Sequence, residues 1–341
     1  MDFTLSEEQL MFAETAQTLF GNTCTPDNWR KMMEQGVAFE ADRWAQIVEN
    51  GFTLLLLPES AGGLGLGEVD MALIAEKAGY VALPEPLVES AGVAAPMLAA
   101  LNPDHPVLAD PNAILAIAPA INPVVAHADQ ATAILVEKDG HAFLVKREDA
   151  TLTPVETIDP LRRVFRVEWD AAKAEDLGVA DWDLALDRAA LFAAAQGLGL
   201  AQRSVDLAVT YAQDRTQFGK PIGSYQAVKH HLASAQVAIE FARPVVMAAA
   251  AQLANRDIYA RARVSHAKIV ALEAADSAAR SSIQVHGAMG YSWEVDVHLF
   301  LKRTLALTNS WGTPYFHRTR VAERLFTRPA GPDLTFAQEA A

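Results

Sequence analysis

From Trp182 to Phe326 the chain is almost continuously built of helix formers, and this stretch limits the fold more than any other feature. Alanine-rich segments run at about 184–213, 224–255, 258–287 and 294–325, and in them Ala, Leu, Gln and Arg outweigh the scattered β-branched residues. Helices this long draw most of their stability from tertiary packing of an apolar face rather than from propensity. Four of them in succession predict a four-helix bundle.

The region before the bundle divides in two. Between about Val107 and Asp170 short apolar or alternating runs, Ala131–Val136 and Ala142–Val145, are separated by Asp139-Gly140 and Pro154. This is strand patterning, with Asp139-Gly140 as a hairpin signal. From Ser6 to about Asn102 the pattern is helical, with Ser6 as N-cap and Leu10, Ala13, Ala16 and Phe20 at helical spacing. The glycines of Gly51–Gly67 break it, but their spacing and Pro58 do not suit a dinucleotide-binding turn. A second helical stretch, around Glu68–Gly79, gives way at Pro84 and Pro86. The expected architecture is mainly α with a reduced β middle domain. Its parts are an N-terminal helical domain at 1–106, the β domain at 107–172, the four-helix bundle at 173–328 and a tail at 329–341.

Lys and Arg number 28 against 42 acidic residues, a net charge of -14 that opposes binding to a phosphate backbone. The only cysteine, Cys24, rules out an internal disulfide framework and a clustered thiolate metal site, as suits a reducing, cytoplasmic setting. No metal site is expected. Nor is a membrane partner, because no charged leader precedes an apolar run and no uninterrupted apolar run approaches the roughly 20 residues that span a bilayer.

Two segments carry chemistry. In Asp214–His230, Arg215 and Phe218 stand at a turn after a long helix, where a guanidinium can fork onto a diphosphate while a ring packs on a base. A helix-capping Arg with a buried Phe is the plainer alternative. In Gln284–Tyr291 small residues at a helix end permit close backbone approach to a ligand, although a glycine there is more often a cap. In this order and separation the two segments resemble the acyl-CoA dehydrogenase family. The resemblance extends to Phe3-x-x-Ser6-Glu7-Glu8-Gln9, Pro58-Glu59 with Gly62–Gly65, Gly199-Leu200-Ala201-Gln202 and Gly290-Tyr291-x-x-Glu294, roughly four-fifths of the chain. It implies a helical domain, a β-barrel-like middle domain and a four-helix bundle, assembled as dimers or dimers of dimers with FAD. It also implies that Arg215, Gln217, Phe218, Gln284 and Gly287 reach the adenine-diphosphate half of a neighbour's FAD. Ala288 stands where the family usually has a second glycine.

What is missing is as specific. The family's base is a Glu preceding Gly-Thr near the C-terminus, and here Trp311 precedes Gly312-Thr313. A minority of the family places the Glu ten residues before the Gly of Gly-Leu-Ala-Gln, which lands on Ala189. Asp187 is turned about 200° away on the helix and, like Asp183, is expected to be solvated. His230 and His231 are expected to pack rather than act as bases, and Glu294 to make a helix-end or interdomain contact. The family's Thr-Glu-Pro, Ala-Gly-Ser-Asp and Trp-Ile-Thr/Ser segments, which hold the flavin ring, are absent.

The resemblance therefore implies no catalytic residue in this chain. It implies an FAD-dependent acyl-CoA dehydrogenase in which FAD is shared with a longer homologous subunit that supplies the Glu. The pattern is nearest the short subunits of α2β2 enzymes acting on steroid-derived CoA thioesters, with an electron-transfer flavoprotein as acceptor. The alternatives are a homomeric dehydrogenase with Asp187 as a displaced base, and a non-catalytic scaffold or CoA-thioester binder.

Overall fold

The computed structural model describes residues 4–255 and 258–327; Phe3 of the N-terminal motif and the tail expected at 329–341 lie outside them. The chain opens with α1 (Glu7–Thr23), α2 (Pro26–Gln35), α3 (Ala41–Glu49) and α4 (Glu68–Tyr80). Ser6 begins α1 with a capping box, its hydroxyl accepting from the Gln9 amide while the Gln9 side chain accepts from the Ser6 amide. Ala13, Ala16 and Phe20 are buried, but Leu10 faces solvent. Residues 51–67 form turns, with no strand, which excludes a dinucleotide-binding loop. Next come α5 (Leu87–Glu89), a π-helical turn at Ser90–Ala94 and α6 (Ala95–Leu101).

The middle region holds β1 (Leu115–Ala118), β2 (Val125–Ala126), β3 (Ala133–Lys138), β4 (His141–Lys146), β5 (Thr151–Val155), β6 (Val164–Glu168) and β7 (Glu175–Val179). One sheet runs β1-β3-β4-β7 and the other β2-β6-β5. The β3–β4 hairpin turns on Asp139 (φ 53°) and Gly140 (φ 80°), the paired positive φ values of a two-residue hairpin turn. β7 lies past the boundary expected at 172 and closes the four-stranded sheet against β4.

The C-terminal region comprises α7 (Trp182–Asp214), a short hairpin of β8 (Thr216–Gln217) and β9 (Lys220–Pro221), α8 (Gln226–Gln252), α9 (Ile258–His286), α10 (Val297–Asn309) and α11 (Pro314–Thr327). The segment expected at 294–325 as one helix is two, broken between Asn309 and Pro314. By length and composition α7 and α8 could each cross a bilayer, which the sequence reading did not anticipate. In the fold 83% of the apolar window of α7 is buried inside the protein.

One guanidinium ties the three regions together. Buried Arg303 on α10 pairs with Asp159 of the β region and donates to the carbonyls of Leu83 (2.9 Å) and Leu161 (3.3 Å). The contact expected of Glu294 exists, but through its backbone: Arg30 of α2 donates to the Glu294 carbonyl (3.4 Å) and pairs with Asp296 (2.8 Å).

Candidate cofactor half-site

The end of α7, the β8–β9 hairpin and the end of α9 are brought together by a small apolar cluster. Ala208 and Ala212 of α7 pack on Val285 of α9, with Ile222 and Val228 alongside. Tyr211 stacks on His286 at a centroid distance of 4.2 Å. This joins the two sequence segments into one surface.

On that surface Arg215, Gln217, Phe218, Gln284 and Gly287 are all exposed. The hairpin holds its shape through the Ile222 amide donating to the Arg215 carbonyl (2.8 Å) and the Tyr225 hydroxyl donating to the Gln217 carbonyl (3.2 Å). Phe218 sits at its tip with φ 53° and is 92% exposed, so the expectation of a buried Phe in the plainer alternative does not hold. Arg215 makes no ion pair among the described residues. Gly287 has φ 60° and open space where a Cβ would be. An unpaired guanidinium, an exposed ring, two amide side chains and a bare backbone turn fit the diphosphate and adenine of FAD, offered outward.

The inner side is different. A cavity of about 260 Å³ between the β region and the bundle is lined by Glu89, Asn122, Thr157, Arg162, Ser310 and Trp311 among others. It is smaller than the roughly 300–1,000 Å³ typical of pockets for drug-sized ligands. Trp311 walls it, 5% exposed and with its amide donating to Asn122 Oδ1 (3.0 Å). Ala189 is buried in α7, three residues from Phe192, whose ring fills the space beside Gly92. On this side the Trp311 ring, rather than an acidic side chain, stands at the cavity wall.

Two expectations do not hold. Asp187 is not solvated: it is 2% exposed and pairs with Arg320 (2.7 Å), with Arg261 at 3.8 Å. Burial raises its carboxyl above its ordinary value, against the pull of Arg320. It does not line the cavity beside Trp311. His230 and His231 are exposed on α8 rather than packed. Sequence reasoning also passed over Lys268 and His317, both buried beneath the Trp311 turn. The available signal was Lys268 in step with Val264, Ala271 and Ala275 on the apolar face of α9.

A helical region, a small two-sheet β region and a long-helix bundle with an exposed Arg, Phe and Gln surface at one end define a flavoprotein dehydrogenase architecture. Models of the acyl-CoA dehydrogenase N-terminal and C-terminal domains match residues 6–103 and 177–326, and the chain belongs to the acyl-CoA dehydrogenase family. It is 33% identical over 307 residues to acyl-CoA dehydrogenase IpdE2 of Mycobacterium tuberculosis, spanning 88% of this chain and 92% of that protein. Among solved structures, the ChsE4-ChsE5 complex of the same organism contains a chain superposing with TM-score 0.86 at 26% identity, over 97% of this chain and all of that one. A steroid ACAD, the Tcur3481-Tcur3483 G363A variant, has the same fold, with TM-score 0.82 at 22% identity over 95% of this chain and 99% of that one.

Proposed function

We propose that this chain is one subunit of a heteromeric, FAD-dependent acyl-CoA dehydrogenase, and that it supplies the adenine-diphosphate half-site to a longer homologous subunit carrying the catalytic Glu. The observation that carries this is the opposition of the two faces: Arg215, Gln217, Phe218, Gln284 and Gly287 lie open to a neighbour, while Trp311 walls the inner cavity. Desaturating an acyl-CoA thioester removes an α-proton and a β-hydride, and the flavin, when bound, is the hydride acceptor. This chain has Trp311 and Ala189 at the two base positions, and neither side chain takes a proton. Its own groups bind and orient. When FAD is bound, Arg215 would hold the diphosphate, Phe218 would pack on the adenine, and the amides of Gln217 and Gln284 would help position it.

The ChsE4-ChsE5 complex supports a paired arrangement, and Tcur3481-Tcur3483, a steroid ACAD of the same fold, agrees with a steroid-derived CoA thioester. An α2β2 assembly, a cytoplasmic location and an electron-transfer flavoprotein as acceptor complete the reading. Co-expression with a longer homologue that retains the Glu yields a yellow complex containing both chains, while this chain purified alone is colourless. Stoichiometric FAD and turnover from this chain alone overturn the proposal.

A further inference from the structure

The turn that carries Trp311 is held by an unusual number of buried groups. The Lys268 ammonium, 2% exposed, donates to the carbonyls of Ser310 and Gly312, the latter at 2.7 Å. Between them the Trp311 carbonyl meets His317 Nε2 at 2.9 Å. His317 Nδ1 lies 3.0 Å from the Ser265 hydroxyl, so that hydroxyl donates to Nδ1 and Nε2–H donates to Trp311. Burial lowers the His317 imidazole to about 3, which keeps it neutral in this tautomer, and lowers the Lys268 amine to about 7. From the opposite side Asn122 accepts from the Trp311 amide. Three successive carbonyls and one amide are thus captured by side chains from α9, α11 and the β region.

The backbone needs that capture. Trp311 has φ 57° and Gly312 φ 93°, and a non-glycine residue in the left-handed region costs about 1–3 kcal/mol unless its surroundings over-determine it. At 312 a Cβ would lie 2.5 Å from the Phe316 ring, so a glycine is required. The turn is also a partition. Ser310 and Trp311 face the inner cavity of about 260 Å³. Lys268 and His317 face a second cavity of about 410 Å³ between α9, α10 and α11, walled by Ile269, Leu272 and Leu305.

We infer that Ser310–Gly312 is a locked partition, with Lys268 as its positioning residue, which shuts the inner cavity to a planar ring-sized ligand. That the excluded ligand is the flavin ring rests on the function proposed above; the lock itself does not.

Hydrogen exchange on the full-length chain tests it. Lys268→Met removes both of its donors while keeping the aliphatic stem, and Asn122→Ala removes the contact to the Trp311 amide without touching the bundle interior. Either variant speeds exchange of the Ser310 and Trp311 amides by about ten- to a hundredfold, the worth of one or two such hydrogen bonds, while amides in the middle of α7 stay as protected as in the parent. Riboflavin, a neutral planar probe, is unquenched by the parent chain and is bound and quenched by Trp311→Gly. Unchanged exchange at Ser310 and Trp311 in both variants overturns the lock, as does loosening spread equally through α7. Riboflavin bound by the parent as tightly as by Trp311→Gly overturns the exclusion. A colourless complex with the longer homologue would instead count against the proposed function and leave the lock standing.

Discussion

Arg43 and Glu85 meet in the N-terminal region with side-chain exposures of 1% and 0%. Their contact is bidentate, Nε and Nη2 of Arg43 lying 2.7 and 2.8 Å from the two carboxylate oxygens. The remaining donors are used as well, Nη1 reaching the Thr23 carbonyl and Asn28 Oδ1, both at 2.9 Å. Glu85 in turn accepts from the Glu40 amide. A buried pair of this kind adds little net stability over an apolar pair, because each charge lost its hydration, but removing Glu85 leaves the buried Arg43 with only the partly exposed Glu40, 2.9 Å from Nη1, as a charged partner. Glu85→Ala is therefore expected to destabilise the chain by about 3–5 kcal/mol, and Glu85→Ala with Arg43→Met by much less. Thermal or urea unfolding of the two variants separates these outcomes, and equal losses would contradict the stranded-charge account. Nearby Cys24 is pushed up to about 12 by burial, so it stays a thiol.

The crossing of α4 and α7 depends on reciprocal glycines. A Cβ at Gly199 would sit 2.0 Å from the Glu76 carbonyl oxygen, and one at Gly79 would sit 2.1 Å from the Gln196 carbonyl oxygen. The Gly-Leu-Ala-Gln motif thus has a packing reason for its glycine. Alanine favours a helix over glycine by about 1 kcal/mol, but a clash with backbone atoms cannot be relieved by a rotamer change. Gly199→Ala is expected to lose about 1–3 kcal/mol net, whereas Gly21→Ala in α1, with nothing within 4 Å, gains up to about 1 kcal/mol. Chemical denaturation distinguishes the signs, and a stabilising Gly199→Ala would refute the close crossing. Features of this local kind were legible in the sequence: the Ser6 cap, the Asp139-Gly140 hairpin and the long helices all depend on neighbours a few residues away. What escaped was either passed over or depends on distant partners. The break at 310–313 is marked locally by Gly312 and Pro314, while the left-handed turn it makes is tied down by Lys268 about forty residues earlier. Asp187 reads as a solvated helix residue until Arg320, from the last described helix, is brought onto it.

At the scale of the whole molecule, the groups that hold the fold together and the exposed surface proposed to meet the cofactor are separated in space. The groups that hold the regions together, Arg303 with Asp159 and Arg43 with Glu85, are buried. The half-site residues lie at the end of the bundle, where only the small cluster around Val285 supports them. A substitution at Arg215 should therefore leave the fold alone and register only in the assembled enzyme. Arg215→Ala is expected to change the stability of this chain by no more than about 0.5 kcal/mol, the usual range for a surface position. In the complex with the longer subunit it removes a charged hydrogen-bonding group worth about 1.5–3 kcal/mol, so FAD affinity falls by about ten- to a hundredfold. Arg280→Ala serves as the control, since Arg280 is an exposed arginine whose ion pair is with Asp276 on its own helix. Flavin fluorescence during titration of the apo-complex reads both variants. If the Arg215→Ala complex retains FAD as tightly as Arg280→Ala, the outward face does not hold the cofactor, and the chain is a scaffold that has kept the fold without the half-site.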